Sequence, residues 1–170
     1  MSGVVELHRA HAPRVVRVAV LTVSDTRTAA TDTSGDRIVA LCRDAGHEVV
    51  DRALVPDDAA QVRSWVARTR DAGAADAAIL TGGTGVSPRD VTIEAVGPLL
   101  TKAIPGFGEL FRVLSYAEIG SAALMSRAAG GLAGRLVVLA LPGSKAGVEL
   151  AMTKLVLPEL PHLVGQACKV

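Results

Sequence analysis

The amino-acid sequence predicts an α/β fold: a single doubly wound domain with a mostly parallel sheet and helices on both faces. Apolar runs rich in β-branched residues alternate along the chain with helical patterns of ten or more residues, which is typical of a parallel sheet. The 170 residues suffice for one domain with a sizeable core, and no repeat, linker or low-complexity tract divides them. We expect a flexible N-terminal arm at 1–14 and the domain at 15–170.

The first half of the chain begins with the clearest strand. Residues 17–23 form a dense β-branched run, typical of a strand that is buried on both faces. Thr33 and Ser34 can cap the next helix, which is expected to run to about Asp44 and to end at Gly46. The same criteria assign a second strand at 47–55, a second helix from 56, and a third strand at 76–80.

The second half is predicted to begin with a helix at about 92–100. A further helix at 109–119 meets a break at Gly120 and is expected to continue over 122–129. Another strong strand is predicted at 135–141. A long C-terminal helix then begins at Ser144, and Pro158 and Pro161 are expected to interrupt it.

Composition excludes several functional classes. Hydrophobic residues make up 49% of the chain and its net charge is only +1, which rules out disorder. Aromatic residues make up 2%, which argues against a stacking platform for single-stranded nucleic acid. The small net charge provides no field to recruit DNA or an anionic membrane. The longest apolar run, 136–142, is far shorter than the roughly 20 residues that a membrane span needs.

The two cysteines, Cys42 and Cys168, show no metal-ligand spacing. Unpaired cysteines are typical of a reducing compartment. We therefore predict a cytoplasmic protein with neither nucleic-acid nor membrane partners.

The most informative loop is Thr-Gly-Gly-Thr-Gly at 81–85, directly after the third predicted strand. Glycines let backbone amides approach a ligand closely, and the N-terminus of the following helix would add a partial positive charge. The loop matches neither a Walker A motif nor the dinucleotide fingerprint. The alternative is a tight turn without function, in which Asp90 or Thr92 only caps the helix.

Asp57 follows the second predicted strand. With Pro56 and Asp58 it also makes a good helix start, so a purely structural role is the alternative. The ends of neighbouring parallel strands lie on one edge of the sheet, so Asp57 and Asp90 can face a common cleft. Two carboxylates beside an amide-lined anion pocket suit Mg²⁺-dependent phosphoryl or nucleotidyl transfer.

Eight short motifs appear in order over about 17–163 and carry a family resemblance. They are Ser24-Asp25-Thr26, Asp32-x-Ser34-Gly35, Val55-Pro56-Asp57, Thr81-Gly-Gly-Thr-Gly85, Pro88-Arg-Asp-Val-Thr92, Pro105-Gly106, Ser126-Arg127 and Leu141-Pro142-Gly143. Together they resemble the MogA/MoaB family of molybdenum cofactor biosynthesis, which includes the G domains of gephyrin and its plant counterpart.

The resemblance implies a homotrimer that binds molybdopterin, transfers AMP to it from Mg-ATP, releases pyrophosphate, and can hand its product to a molybdenum-inserting enzyme. The family's essential aspartates fall on Asp57 and Asp90, which are also the implied Mg²⁺ ligands, and its pterin-site serine falls on Ser126. The implied substrate-binding residues are Ser24, Asp25, Ser34, Gly35, Thr81, Gly82, Gly83, Thr84, Gly85, Ser126, Pro142, Gly143 and Ser144.

Two departures leave the branch of the family open. Residues 142–145 are Pro-Gly-Ser-Lys where the adenylyltransferases resemble one another in Pro-Gly-Asn-Pro, and 106–115 look closer to the MoaB branch. The chain nevertheless keeps Pro-Arg-Asp at 88–90. We therefore expect a molybdopterin adenylyltransferase. The alternatives are a non-catalytic molybdopterin carrier or scaffold of the MoaB type and a generic nucleotide-binding regulator.

Other side chains have two possible roles each. Phe107 and Phe111 invite pterin stacking, but four residues apart on one helix they are more often core or subunit interface. Arg89 and Arg127 are possible charge partners of the substrate, and ion pairs within the protein are the alternative.

Overall fold

The computed structural model describes residues 12–169, so most of the predicted arm lies outside the described residues. The strands are β1 (Arg17–Val23), β2 (Glu48–Val55), β3 (Ala77–Thr81), β4 (Lys102–Ala103), β5 (Ala129–Ala133) and β6 (Leu136–Leu141). The helices are α1 (Thr33–Asp44), α2 (Ala59–Ala72), α3 (Thr92–Val96), α4 (Pro105–Ile119), α5 (Lys145–Ala151) and α6 (Leu157–Ala167). Short 3-10 turns lie at Gly97–Leu99 and Gly120–Met125, and a π-helical segment, Met152–Val156, joins α5 to α6.

The six strands form one mixed sheet in the order β2-β1-β3-β6-β5-β4. The strands β2, β1, β3 and β6 are parallel to one another, and β5 runs antiparallel to both of its neighbours, β6 and β4. The chain adds β2 on one side of β1 and β3 on the other, so the strand order reverses between β1 and β3. This confirms the predicted α/β fold, and such a reversal opens a ligand crevice at the carboxyl ends of the two strands.

The predicted helix over 122–129 is wrong. Gly120, at φ +63°, ends α4, and a 3-10 turn leads into β5. β5 has the sequence Ala-Gly-Gly-Leu-Ala, which lacks the β-branched residues that indicate strands. Tight packing requires its glycines: a Cβ at Gly130 would lie 2.8 Å from Leu139, and one at Gly131 would lie 2.6 Å from the carbonyl of Lys102.

The prolines near the C-terminus do not break the last helix, contrary to prediction. The helical backbone continues from α5 through the π-helical segment into α6. Pro158 lies in the first turn of α6, directly after the π-helical turn, and Pro161 lies inside the helix. A π-helical turn already interrupts the regular hydrogen-bond ladder, which lets a helix accept a proline close by.

Both faces of the sheet are buried. Alternate residues of the central strands, such as Val20 and Leu21, pack into separate apolar clusters on opposite faces. Phe107 and Phe111 lie in the first cluster with exposures of only 8% and 2%. Both side chains therefore belong to the core. No helix in the described part of the chain is both long and apolar enough to cross a membrane.

His47, at the start of β2, makes folding stability depend on pH. Its ring is buried, Nδ1 has no hydrogen-bond partner within residues 12–169, and burial lowers the pKa of the imidazole below its usual 6.5. The unfolded chain therefore binds more protons below that value, so we expect the melting temperature to fall between about pH 7.5 and pH 5.5. The variant His47→Leu should flatten this slope, and parallel wild-type and variant curves would contradict the assignment.

Candidate active site

A cavity of about 230 Å³ opens at the carboxyl ends of β1 and β3, at the point where the strand order reverses. The residues that line it are Thr22, Val23, Ser24, Arg27, Ser34, Asp57, Thr81, Gly82, Gly83, Asp90 and Gly143. We call this space the first cavity. It brings together both predicted aspartates, two serines and part of the glycine loop.

Asp57 is held in the first cavity by a reciprocal pair of hydrogen bonds. The backbone N–H of Asp57 donates to Oδ1 of Asp25 at 3.0 Å, and the N–H of Asp25 donates to Oδ2 of Asp57 at 2.9 Å. Asp25 follows β1 and Asp57 follows β2, so the pair ties the ends of two adjacent strands together. Asp58, the next residue, caps α2 by accepting from two backbone N–H groups. The helix-start role therefore falls to Asp58, which leaves the Asp57 carboxylate free to face the cavity.

Asp90 shapes the second half of the glycine loop. Its Oδ2 accepts a 2.8 Å hydrogen bond from the N–H of Ser87, and a Cβ at Gly85 would lie 2.9 Å from the same oxygen. The capping alternative fails, because Val91 occupies the N-cap of α3 and no side chain of the described residues bonds there. Thr92 instead donates to the carbonyl of Gly82 at 2.8 Å, which fastens the loop. α3 is only five residues long, so its dipole adds little to an anion site.

Gly82 and Gly83 adopt φ values of +95° and +60°, in the left-handed region that favours glycine. A Cβ at Gly82 would lie 2.2 Å from the carbonyl oxygen of Val23 in β1. A Cβ at Gly83 would lie 2.9 Å from Oδ1 of Asp57. The two glycines therefore let the loop cross the end of β1 and reach the carboxylate.

Ser126 lies in a different place from the two aspartates. It lines a neighbouring second cavity of about 150 Å³ together with Pro142 and Ser144. Its Oγ is buried and has no hydrogen-bond partner among the described residues. Gly143 lines the first cavity, so the segment 142–144 forms a wall between the two spaces. The predicted site residues thus divide into two adjacent groups.

The remaining predicted residues support these walls. Asp25, Gly35, Thr84 and Gly85 do not line either cavity. Thr84 Oγ1 lies 3.5 Å from the carbonyl of Leu141, and Gly85 receives the side chain of Arg127 on its carbonyl. These contacts join the glycine loop to neighbouring elements.

Asp32 is a buried support that sequence reasoning did not single out, although it lies within a quoted motif. Oδ2 accepts from Thr22 Oγ1 at 2.6 Å and from Arg52 at 3.2 Å, and Oδ1 accepts from the N–H of Gly35 at 2.9 Å. Burial would raise the pKa of Asp32, but these hydrogen bonds outweigh it and hold the pKa below its usual value. Asp32 therefore caps α1, contrary to the predicted cap at Thr33 and Ser34, and Ser34 instead donates to the carbonyl of Gly143 at 2.9 Å.

Arg89 and Arg127 both form ion pairs within the protein. Arg89 Nε donates to Oδ2 of Asp25 at 2.9 Å, and this contact lowers the pKa of that carboxyl. Arg127 pairs with Glu94 and donates to the carbonyls of Gly85 at 2.7 Å and Asp90 at 3.2 Å. Both arginines therefore hold the loops that carry the aspartates.

Arg27 also lines the first cavity and was missed by sequence reasoning. It lies two residues after Asp25, in the loop that follows β1. The feature of the sequence that could have indicated Arg27 is its position in a loop at the carboxyl end of a predicted strand. The sequence could not indicate that its side chain turns into the cavity.

The donor set of the first cavity fits Mg²⁺. Burial, together with the carboxylates of Asp25 and Asp90, raises the pKa of Asp57, so a cation would offset the repulsion. Within residues 12–169, no group of three or more His, Cys, Asp or Glu side chains could hold a metal by itself. Mg²⁺ needs only one or two carboxylates, because water and substrate phosphates complete its coordination.

Comparison with known proteins gives the family. Residues 19–162 match the family model described as "Probable molybdopterin binding domain". The chain is 50% identical over 168 residues to Molybdenum cofactor biosynthesis protein B of Bacillus subtilis (strain 168), covering 97% of this chain and 98% of the relative.

Solved structures agree with this match. A crystal structure of Molybdenum cofactor biosynthesis protein B has a TM-score of 0.88 at 49% identity, covering 92% of this chain and 98% of that one. The tungsten cofactor synthesizing protein MoaB from Pyrococcus furiosus has a TM-score of 0.83 at 34% identity, covering 93% and 100% of the two chains. The chain therefore belongs to the MogA/MoaB family of molybdenum cofactor biosynthesis, which shares this molybdopterin-binding domain.

Proposed function

We propose that this protein is a molybdopterin adenylyltransferase, which transfers AMP from Mg-ATP to the phosphate of molybdopterin and releases pyrophosphate. The observation that carries the proposal is the convergence of Asp57 and Asp90 on a cavity lined by Gly82 and Gly83. A second cavity adjoins it across a single loop. Two adjoining spaces suit a reaction that joins two substrates.

The reaction needs no nucleophilic side chain. An oxygen of the pterin phosphate attacks the α-phosphorus of ATP, a new P–O bond forms, and the bond to the β-phosphate breaks to release pyrophosphate. Asp57 and Asp90 would hold Mg²⁺, which when bound neutralises the phosphate charges. The chain's own contribution is to hold the two phosphates in line and to keep the carboxylates fixed.

Particular groups would hold the phosphates in the first cavity. The backbone at Gly82 and Gly83 is open to close approach, because no Cβ stands between it and a ligand. Ser24 and Ser34 supply hydroxyl groups on the neighbouring wall. In the second cavity, the unpartnered Oγ of Ser126 would hydrogen-bond the pterin.

A non-catalytic molybdopterin carrier or scaffold is the second candidate. It is favoured by 50% identity to relatives named Molybdenum cofactor biosynthesis protein B and by the Pro-Gly-Ser-Lys sequence at 142–145. In this case the second cavity would bind the pterin and the first would perform no transfer.

Self-association as a homotrimer belongs to the same proposal. The outer side of α4 and the turn after it expose Val113 (68%), Tyr116 (65%) and Leu124 (82%). An apolar surface of this kind is typical of a subunit contact. A monomeric mass in light scattering would contradict the trimer. We also propose a cytoplasmic location and hand-over of the product to a molybdenum-inserting enzyme.

The test is an assay of pyrophosphate in a mixture of protein, Mg-ATP and molybdopterin. We expect release that requires the pterin and that stops when EDTA removes the metal, because without a cation the carboxylates of the site repel the phosphates. Pterin binding without release above background would reject the enzyme and favour the carrier. Thermal stabilisation by ATP with no pterin binding would favour a nucleotide-binding regulator.

A further inference from the structure

Arg27 is the only cationic side chain among the described residues that line the first cavity. It is half-buried, and its loop is anchored by Ser24, whose Oγ accepts from the N–H of Arg27 at 3.2 Å. The backbone of Arg27 is therefore fixed at the wall of the first cavity.

The partners of the Arg27 guanidinium are all neutral. Nη1 donates to the carbonyl of Thr31 at 3.3 Å and to Oγ1 of Thr33 at 3.2 Å, and Nη2 donates to the carbonyl of Gly143 at 3.4 Å. In the described part of the chain, no carboxylate pairs with it. Other arginines do have such partners, as Arg89 has with Asp25. The Arg27 charge is thus held in place but not neutralised.

The negative side chain of Asp57 and the positive side chain of Arg27 bond to different parts of the wall of the first cavity. Asp57 bonds to Asp25 and lies against Gly83, whereas Arg27 bonds to Gly143 on the side of β6. A phosphate is the ligand that matches this arrangement. Its oxygens accept from the planar guanidinium fork, and they also complete the coordination of a cation held by carboxylates.

We propose that Arg27 is a substrate-binding residue whose guanidinium holds a phosphate group in the first cavity. This inference rests on the proposed function for the identity of the substrates. The phosphate belongs either to the nucleotide or to the pterin, since Gly143 is part of the wall between the two cavities. Both sources present the same anionic oxygens to Arg27.

The direct test is binding of inorganic pyrophosphate with Mg²⁺, measured by titration calorimetry. We expect Arg27→Gln to weaken binding about 10- to 100-fold, as loss of a charge-assisted contact does, and Arg27→Lys to fall in between. The matched control is Arg63→Gln, which removes the same charge from α2, where the side chain donates to the carbonyl of Ala59 in its own helix. The control should bind like the wild type.

Further measurements separate the phosphate sources and guard against a folding defect. A rise in KM for ATP alone assigns the phosphate to the nucleotide, and a rise for molybdopterin alone assigns it to the pterin. Unchanged pyrophosphate affinity and unchanged KM values in a folded Arg27→Gln, judged by its melting temperature, would overturn the inference. If the wild type releases no pyrophosphate from ATP but Arg27→Gln still weakens binding, the proposed function fails and the Arg27 site stands.

Discussion

Asp57→Asn is expected to slow pyrophosphate release by about 100- to 1,000-fold, because it removes a charge from the site where phosphates and metal must be held. The substituted side chain has the same shape, and its carbonyl oxygen can still accept from the N–H of Asp25. Burial raises the pKa of Asp57, so its charge does not stabilise the fold. The melting temperature should therefore stay at or above the wild-type value.

The matched control for this experiment is Asp58→Asn. Asp58 is adjacent in sequence but exposed, and it caps α2, a role that asparagine fills equally well. Release of pyrophosphate should be unchanged in the control, measured with saturating Mg-ATP and molybdopterin. Equal rates in the two variants would refute the role of Asp57.

Asp90→Ala should also abolish turnover with little effect on the melting temperature, because the hydrogen bonds of Asp90 lie within an exposed loop.

Gly82→Ala should be the most destabilising single substitution in the glycine loop. The residue has φ +95°, and its Cβ would meet the carbonyl oxygen of Val23 at 2.2 Å, so the loop must move away from β1. We expect a loss of about 3 kcal/mol in the free energy of unfolding, or roughly 6–12 °C in melting temperature. Activity should fall too, because a shift of the loop also moves Gly83, which lies against the carboxylate of Asp57.

Gly73→Ala separates the two causes of this effect. Gly73 also has a positive φ, +63°, at the end of α2, but a Cβ there would meet no atom of the described residues within 4 Å. The left-handed conformation alone should cost about 1 kcal/mol. If denaturant unfolding gives the same loss of unfolding free energy for Gly82→Ala and Gly73→Ala, the close approach of Gly82 to β1 does not contribute to the destabilisation.

Much of the fold followed from local patterns. The four parallel strands were predicted from apolar runs; 17–23 is dense in β-branched residues, a composition that burial on both faces favours in β1. β5 could not be predicted in this way. It is a strand because Gly130 and Gly131 let it pack tightly between β6 and β4. The atoms that demand glycine there belong to those partner strands, so the local sequence does not show them.

The candidate site was predicted in part. The rule that ligands bind at the carboxyl ends of parallel strands was enough to bring Asp57 and Asp90 into one cavity. The separation of Ser126 into a second cavity could not be inferred, because it depends on where 142–144 cross between the two spaces. Asp32 was missed as a support, since its partners Thr22 and Arg52 belong to two different strands.

The sequence by itself determined the α/β class, the aspartates and the glycine loop, because periodicity, strand ends and glycine clusters are local properties of a chain. Only the tertiary structure decided the hydrogen-bond partner of each charged side chain. Asp57 bonds to Asp25, 32 residues away in sequence, and Arg27 bonds to Gly143, 116 residues away. Pairing depends on distances between segments far apart in sequence. It therefore took the folded chain to reveal that Arg89 is paired and that, within residues 12–169, the partners of Arg27 are neutral.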